Sequence, residues 1–273
     1  MPVLEYRPRS LLKPRSRIFE AYRRDVTSQG GEDGVIERLF TVIPPIHRFC
    51  VEFGAWDGKL YSNTWSLLNM RDWSGVLIEG VEQRFRALEA TYSGASGRVR
   101  LNNCYVTLDG PTRLDRLLAE AGAPVDFDLL SIDIDGNDWH VWQSLNDFHP
   151  RVVIVEFNPT IENDILFVQD PDPLIHQGCS LLALVELGKQ KGYELCATTE
   201  VNAFFIERSL FSRLGIADND IDALHQPRWP AKIFHGYDGT FFAVGATRLI
   251  WHDTALTQED YQVLPTHMRF FRE

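Results

Sequence analysis

No apolar run in this chain of 273 residues approaches the ~20 needed to span a bilayer, and its N-terminus lacks the apolar centre of a secretory signal. A membrane partner is therefore not expected, and a cytoplasmic location is. Positive charge is also in short supply, with 27 Lys and Arg against 38 Asp and Glu for a formal net charge of −11. Nucleic-acid binding draws its affinity from neutralised phosphates, so this balance argues against nucleic acid and for a small-molecule partner. Cysteine is scarce. Cys50, Cys104, Cys179 and Cys196 form no CxxC spacing, which removes the common zinc and dithiol motifs and leaves reduced, structural thiols as the expectation. No internal repeat or low-complexity tract is visible.

What the chain does have is acid at the ends of its apolar runs. Phe49-Cys50-Val51-Glu52, Val76-Leu77-Ile78-Glu79, Leu129-Leu130-Ser131-Ile132-Asp133-Ile134-Asp135 and Val152-Val153-Ile154-Val155-Glu156 all share this design. Short, nearly continuous Val/Ile/Leu runs separated by helix-length stretches predict doubly covered parallel strands, whose carboxyl ends open onto one crevice. Strands are expected over 48–53, 75–79, 99–101, 127–134 and 152–157, with helices over 63–69, 82–92, 111–121, 138–145 and 180–191. Two β-prone runs, 193–198 and 203–207, follow as a hairpin. The fold expected is α/β, a Rossmann-like doubly wound sheet that is mostly parallel with a C-terminal antiparallel hairpin. Residues 1–25 form a basic arm in which Pro2, Pro8 and Pro14 disfavour a helix before Ile18, residues 26–209 the core, and 210–273 an extension packing on it with a strand at 240–246. The stretch 159–178 is too long for a simple connector and reads as a loop walling the site, which Asn158-Pro159 would aim over the crevice.

Acid converging at strand ends repels a pyrophosphate and attracts a cation or a metal ion. The loop Glu52-Phe53-Gly54-Ala55-Trp56-Asp57-Gly58 has glycine where a backbone must turn tightly, but lacks the G-x-G-x-x-G spacing of a dinucleotide site. Glu79 ends the next strand where such folds grip two ribose hydroxyls, and together these features favour a nucleoside with no phosphate. Asp133 or Asp135, with Glu156 and Asn158, offers the hard oxygen ligands that magnesium or another divalent cation prefers. The metal-free alternative leaves proton removal to Asp135 or His140. Asn137 and Asp138 read as a turn and helix cap, and Trp139, Trp142, Leu145 and Phe148, at helical spacing, as core.

Residues 51–58, Ser62-Asn63-Thr64, 76–79, 128–136, the terminal hairpin and Ser28-Gln29-Gly30-Gly31-Glu32-Asp33 together resemble class I S-adenosylmethionine-dependent methyltransferases of the FkbM type, over roughly 26–209. The resemblance implies S-adenosylmethionine as donor and the class I methyltransferase fold. It implies Glu52 and Gly54 near the donor's amino-acid portion, with Asp57, Ser62 and Asn63 in the same loops. It further implies Glu79 on the ribose, Asn103 or Cys104 beside adenine, and Asp133 near the ammonium or sulfonium end. Trp56 and Asp57 depart from it, standing where the family has small residues. Catechol-type methyltransferases are similar in placing acidic and asparagine metal ligands at the ends of the fourth and fifth strands. The implied activity is methyl transfer to an oxygen, or else a nitrogen, of a small polar metabolite such as a sugar or secondary-metabolite hydroxyl. A methyltransferase-like binding module without turnover is the nonenzymatic rival, and a nicotinamide oxidoreductase is disfavoured by the acidic loop.

Overall fold

The computed structural model describes residues 3–6, 18–95, 97–227 and 231–271. Positions 1–2 and 7–17 of the expected arm lie outside the described residues. The chain forms two compact units, Met1–Asn158 with Asn163–Gln226, and Pro159–Glu162 with Pro227–Glu273.

In chain order the first unit contains β1 (Val3–Tyr6), α1 (Glu32–Val42), β2 (Phe49–Phe53), α2 (Trp65–Met70), β3 (Ser74–Glu79), α3 (Glu82–Thr91), β4 (Val99–Asn103) and α4 (Leu114–Ala121). It continues with β5 (Leu129–Ile132), α5 (Asp138–Ser144), β6 (Val152–Glu156), β7 (Ile165–Val168), α6 (Leu181–Gln190), β8 (Tyr193–Thr198) and β9 (Asn202–Glu207). Seven strands make one sheet in the order β4-β3-β2-β5-β6-β9-β8. Neighbours are parallel from β4 to β6, and β9 is antiparallel to both β6 and β8. This is the expected doubly wound sheet with its terminal hairpin.

The strands are apolar throughout because both faces are covered. Val51, Val76, Leu130, Val153 and Phe205 face one core with α4, α5 and α6, while their neighbours Cys50, Leu77, Leu129, Ile154 and Phe204 face the other with α1, α2 and α3. Trp142 is fully buried at 0% exposure, and Leu145 and Phe148 are buried beside it, as their spacing predicts. Cys50, Cys179 and Cys196 are buried and form no disulfide.

Two expectations are corrected. The fourth strand ends at Ile132 rather than at 134, because Asp138 accepts hydrogen bonds from the N–H of Ile134 and of Gly136, both at 2.9 Å, and Asp135 turns left-handed with φ 55°. The stretch 159–178 is not loop throughout, since β7 lies inside it and pairs antiparallel with β1, Val3 opposite Val168. That partner is some 160 residues away in sequence, so no hairpin signal marks it. In the second unit the expected strand at 240–246 appears as β11 (Phe241–Gly245), paired with β10 (Ala231–His235), and Phe234 stacks on Phe242 with ring centroids 5.2 Å apart.

The entry to β2 hangs on one buried carboxylate. Asp128 accepts from Ile46 N–H at 2.8 Å, His47 N–H at 2.9 Å and the Arg151 guanidinium at 2.9 Å, with both side chains of the ion pair almost fully buried. Removing one partner of a buried, hydrogen-bonded pair strands the other, which typically costs about 3–5 kcal/mol. Asp128→Ala is expected to lower unfolding stability in urea by that amount; a loss below about 1 kcal/mol would show that water replaces the carboxylate.

Candidate active site

The chain runs outward from β2 to β3 and β4 and then returns to β5, so the crevice opens at the carboxyl ends of β2 and β5. Gly54 takes φ 76°, and a Cβ there would run into the main-chain oxygen of Asp133. Only glycine lets this loop cross the end of β5 so closely. The loop then fastens to β3, with Ala55 N–H donating to Ile78 O at 3.1 Å and Trp56 N–H to Glu79 Oε2 at 2.9 Å. Glu79 Oε1 accepts from Val81 N–H at 2.7 Å. Glu79 is thus 4% exposed with both oxygens pinned, and each retains a further acceptor direction. Asn103 donates its amide to Glu79 O at 2.8 Å, the Tyr105 ring lies against Gly80, and Cys104 is half-buried against the core.

The other loop candidates hold one another. Glu52 accepts from Ser62 Oγ at 2.6 Å, Asn63 N–H at 2.8 Å and Thr64 Oγ1 at 2.7 Å, while Asn63 donates its amide to Ser131 Oγ at 3.1 Å. Burial pushes the Glu52 carboxyl up, against the pull of these bonds. Asp57 accepts from Lys59 N–H and Leu60 N–H, closing its own turn.

At the ends of β5 and β6, Asp133, Asp135 and Glu156 bring carboxylate oxygens within 4.8 Å of one another. Asp133 and Glu156 are half-buried and hydrogen-bonded to each other, and Asp135 is exposed. Burial, then the charges of Asp138 and Asp135, push Asp133 up to about 8. Burial and the charge of Asp133 push Glu156 well above the usual carboxylate range. Asp138 rises to about 6 through burial, against the pull of its two backbone donors. Asn158, the fourth expected ligand, donates its amide to Gln177 O at 3.0 Å.

His140 Nε2 lies 2.8 Å from Gln169 O, an acceptor only, so that nitrogen carries the hydrogen and the ring braces the loop. One residue escaped the sequence reading. Gln169, buried, donates to Asn137 Oδ1 at 2.9 Å and Ile175 O at 2.8 Å and accepts from Gln177 N–H at 2.9 Å and Gly178 N–H at 2.7 Å, which lays residues 170–178 against Asp135-Gly136-Asn137. His176 Nδ1 then sits 3.1 Å from Asp135 O, leaving Nε2 as an acceptor when the ring is neutral. A glutamine closing an apolar run offers no periodic signal.

No family model matches the chain, and no curated protein matches it. Among solved structures it is similar to the N-terminal domain of EvdMO1 with SAH bound, at 15% identity over 64% of this chain and 79% of that one, TM-score 0.43. It is also similar to a S-adenosylmethionine-dependent methyltransferase from Clostridium acetobutylicum ATCC 824, at 9% identity over 64% and 89%, TM-score 0.42. A third is the citrinin polyketide synthase CMeT domain, at 11% identity over 65% and 51%, TM-score 0.42. At these values no activity carries over. The sheet order and terminal hairpin are those of the Rossmann-like class I methyltransferase fold.

The raised Asp133 carboxyl has a consequence for stability. Its ordinary value in an unfolded chain is about 3.9, so between about pH 4 and pH 8 the folded protein holds a proton that the unfolded chain has released. Stability therefore falls as pH rises through that window. Scanning calorimetry in a chelating buffer should show Tm falling from about pH 6 to about pH 9, with the slope reduced in Asp133→Asn; a wild-type Tm that rises over this span would mean Asp133 is ionised throughout.

Proposed function

We propose that the protein transfers a methyl group from S-adenosylmethionine to an oxygen, or else a nitrogen, of a small polar metabolite. The observation that carries this reading is Glu79, buried at the strand end beside the switch point with both oxygens oriented by Trp56 and Val81 N–H. A carboxylate so fixed is preorganised to receive two ribose hydroxyls, and the acid around it suits a cationic donor without a phosphate. The FkbM-type relationship rests on residues 28–33, 51–58 and 62–64 with the strand ends. In this reading residues 26–209 bind the donor, with Gly54 and the Glu52-braced 62–64 turn near its amino-acid portion, Asn103 or Cys104 beside adenine, and Asp133 at the ammonium or sulfonium end. Acceptor choice falls to residues 170–178.

The reaction is an in-line displacement at the sulfonium methyl, so the protein's work is alignment of the two reactants and removal of one proton. Asp135 is the exposed member of the acidic group and the one best placed to take that proton, and His140 acts through the loop it braces. The three convergent carboxylates fit a divalent cation such as Mg²⁺, because hard oxygen donors held in mutual repulsion are what such an ion relieves. Bound by Asp133, Asp135 and Glu156, the ion would lower the pKa of an acceptor hydroxyl.

Titration calorimetry should detect S-adenosylhomocysteine binding, and Glu79→Gln should weaken it by about 1–3 kcal/mol with the circular dichroism spectrum unchanged. Binding of NAD with no heat from S-adenosylhomocysteine would refute the reading. Mg²⁺ titrated at about pH 7 in two buffers of different ionisation enthalpy should release about one proton per ion as Asp133 and Glu156 give up their shared hydrogen, and Glu156→Gln should abolish that release. An absence of Mg²⁺ heat in the wild type would leave proton removal to the side chains alone.

A further inference from the structure

We infer that Asp33, in the first turn of α1, receives a compact monocation, and that the primary ammonium of the donor's amino-acid portion fills this role. The inference rests on the methyl-donor reading and locates one end of that donor. Asp33 is 95% buried, with 5% of its surface exposed. Its Oδ2 accepts three backbone hydrogen bonds, from Val26 N–H at 2.8 Å and from Thr27 N–H and Ser28 N–H at 2.9 Å each. Its Oδ1 is sealed from solvent and meets no donor among the described residues. One carboxylate thus carries an oversupplied oxygen and a bare one, in a place where a buried acceptor without a donor is destabilising.

The surroundings specify the missing group. Glu52, also 5% exposed, is close enough for the Asp33 charge to act on it, and Glu52 in turn acts on Asp133. Glu52 already has donors on both oxygens, from Ser62, Asn63 and Thr64. The open acceptor of Asp33 therefore calls for a donor that is also positive, whereas an anion or a carbonyl would add repulsion. An ammonium, compact and carrying three N–H donors, has that character.

The position suits the amino-acid end of the donor. Thr27 Oγ1 donates to Ser62 O at 3.0 Å, so the turn that clamps Asp33 is tied to the turn that clamps Glu52, at the carboxyl end of β2 beside Gly54. Glu79, the ribose candidate, ends the adjacent strand β3, and neighbouring strands lie about 4.8 Å apart. A ligand gripped at its ribose by Glu79 would extend its short thioether-linked chain toward β2. The Ser28-Gln29-Gly30-Gly31-Glu32-Asp33 segment, which precedes the first strand of the main sheet, then belongs to the donor site, and Asp133 is left to the sulfonium end.

The test compares S-adenosylhomocysteine with 5′-methylthioadenosine, which keeps the nucleoside and lacks the amino acid. Calorimetry is run on wild type and Asp33→Asn in tetramethylammonium chloride, with and without KCl. Asparagine preserves the oxygen that holds the 26–28 turn and places an N–H₂ where Oδ1 was. Asp33→Asn should weaken S-adenosylhomocysteine more than tenfold and leave 5′-methylthioadenosine within about twofold. Should that variant fail to fold, Asp33→Ser, which keeps one oxygen for the turn, takes its place. If K⁺ raises the wild-type Tm but not that of the variant, and S-adenosylhomocysteine affinity is unaffected, the ammonium assignment is overturned and the occupant of Asp33 is a free ion. Parallel losses for both ligands, or no loss for either, with no K⁺ effect, would overturn the inference. Failure of the wild type to bind either nucleoside refutes the methyl-donor reading instead, and the K⁺ comparison then decides the Asp33 site alone.

Discussion

A carboxylate removed from water must collect hydrogen-bond donors or give up its charge, and most of this molecule's crevice is built from the first option. At the opposite, amino-terminal edge of the sheet Asp128 gathers Ile46, His47 and Arg151 in the same way to start β2. Glu52 gathers Ser62, Asn63 and Thr64 to shape the turn before α2. Glu79 gathers Trp56 and Val81, and Asp138 gathers Ile134 and Gly136. Each acid fixes a loop to a strand end by its backbone N–H groups, so the geometry of the crevice is set by main chain as much as by side chains.

Against that background the unsatisfied acids stand out. Asp133 and Glu156 have each other and too few donors, and the cost appears as raised carboxyl pKa values. Asp33 has one oxygen overloaded and the other without a donor among the described residues. Exposed ion pairs elsewhere, such as Arg86 with Glu82 or Arg116 with Glu120, contribute only about 0.3–0.5 kcal/mol each, so they neither organise the site nor compete with it. Chemistry is expected where the fold withholds donors, because only there does a ligand or a proton improve the electrostatics.

The parallel part of the sheet was legible because doubly covered strands must be apolar at every position, and the runs ending in Glu52, Glu79 and Glu156 say so directly. The terminal hairpin was legible because β8 and β9 adjoin in sequence. The pairing of β1 with β7 was not, since the two are short runs far apart in sequence. Within the site, the acids were visible as strand ends, yet their division of labour was not. Glu52 and Glu79 look alike in sequence, and only their donors separate a brace for a side-chain turn from a carboxylate oriented at the crevice mouth.

The sequence alone therefore determined the layer architecture and the sign of charge at the crevice, because apolar periodicity and strand-end acids are local properties read within a few residues. Tertiary structure alone decided which acids are saturated, since the donors of Glu52, Glu79 and Asp33 come from loops whose approach depends on the closed sheet. It also decided that Gln169 and His176 border the site, because their partners Asn137 and Asp135 lie more than 30 residues away in sequence. Hydrogen-bond satisfaction is a property of three-dimensional neighbours, and no one-dimensional pattern encodes it.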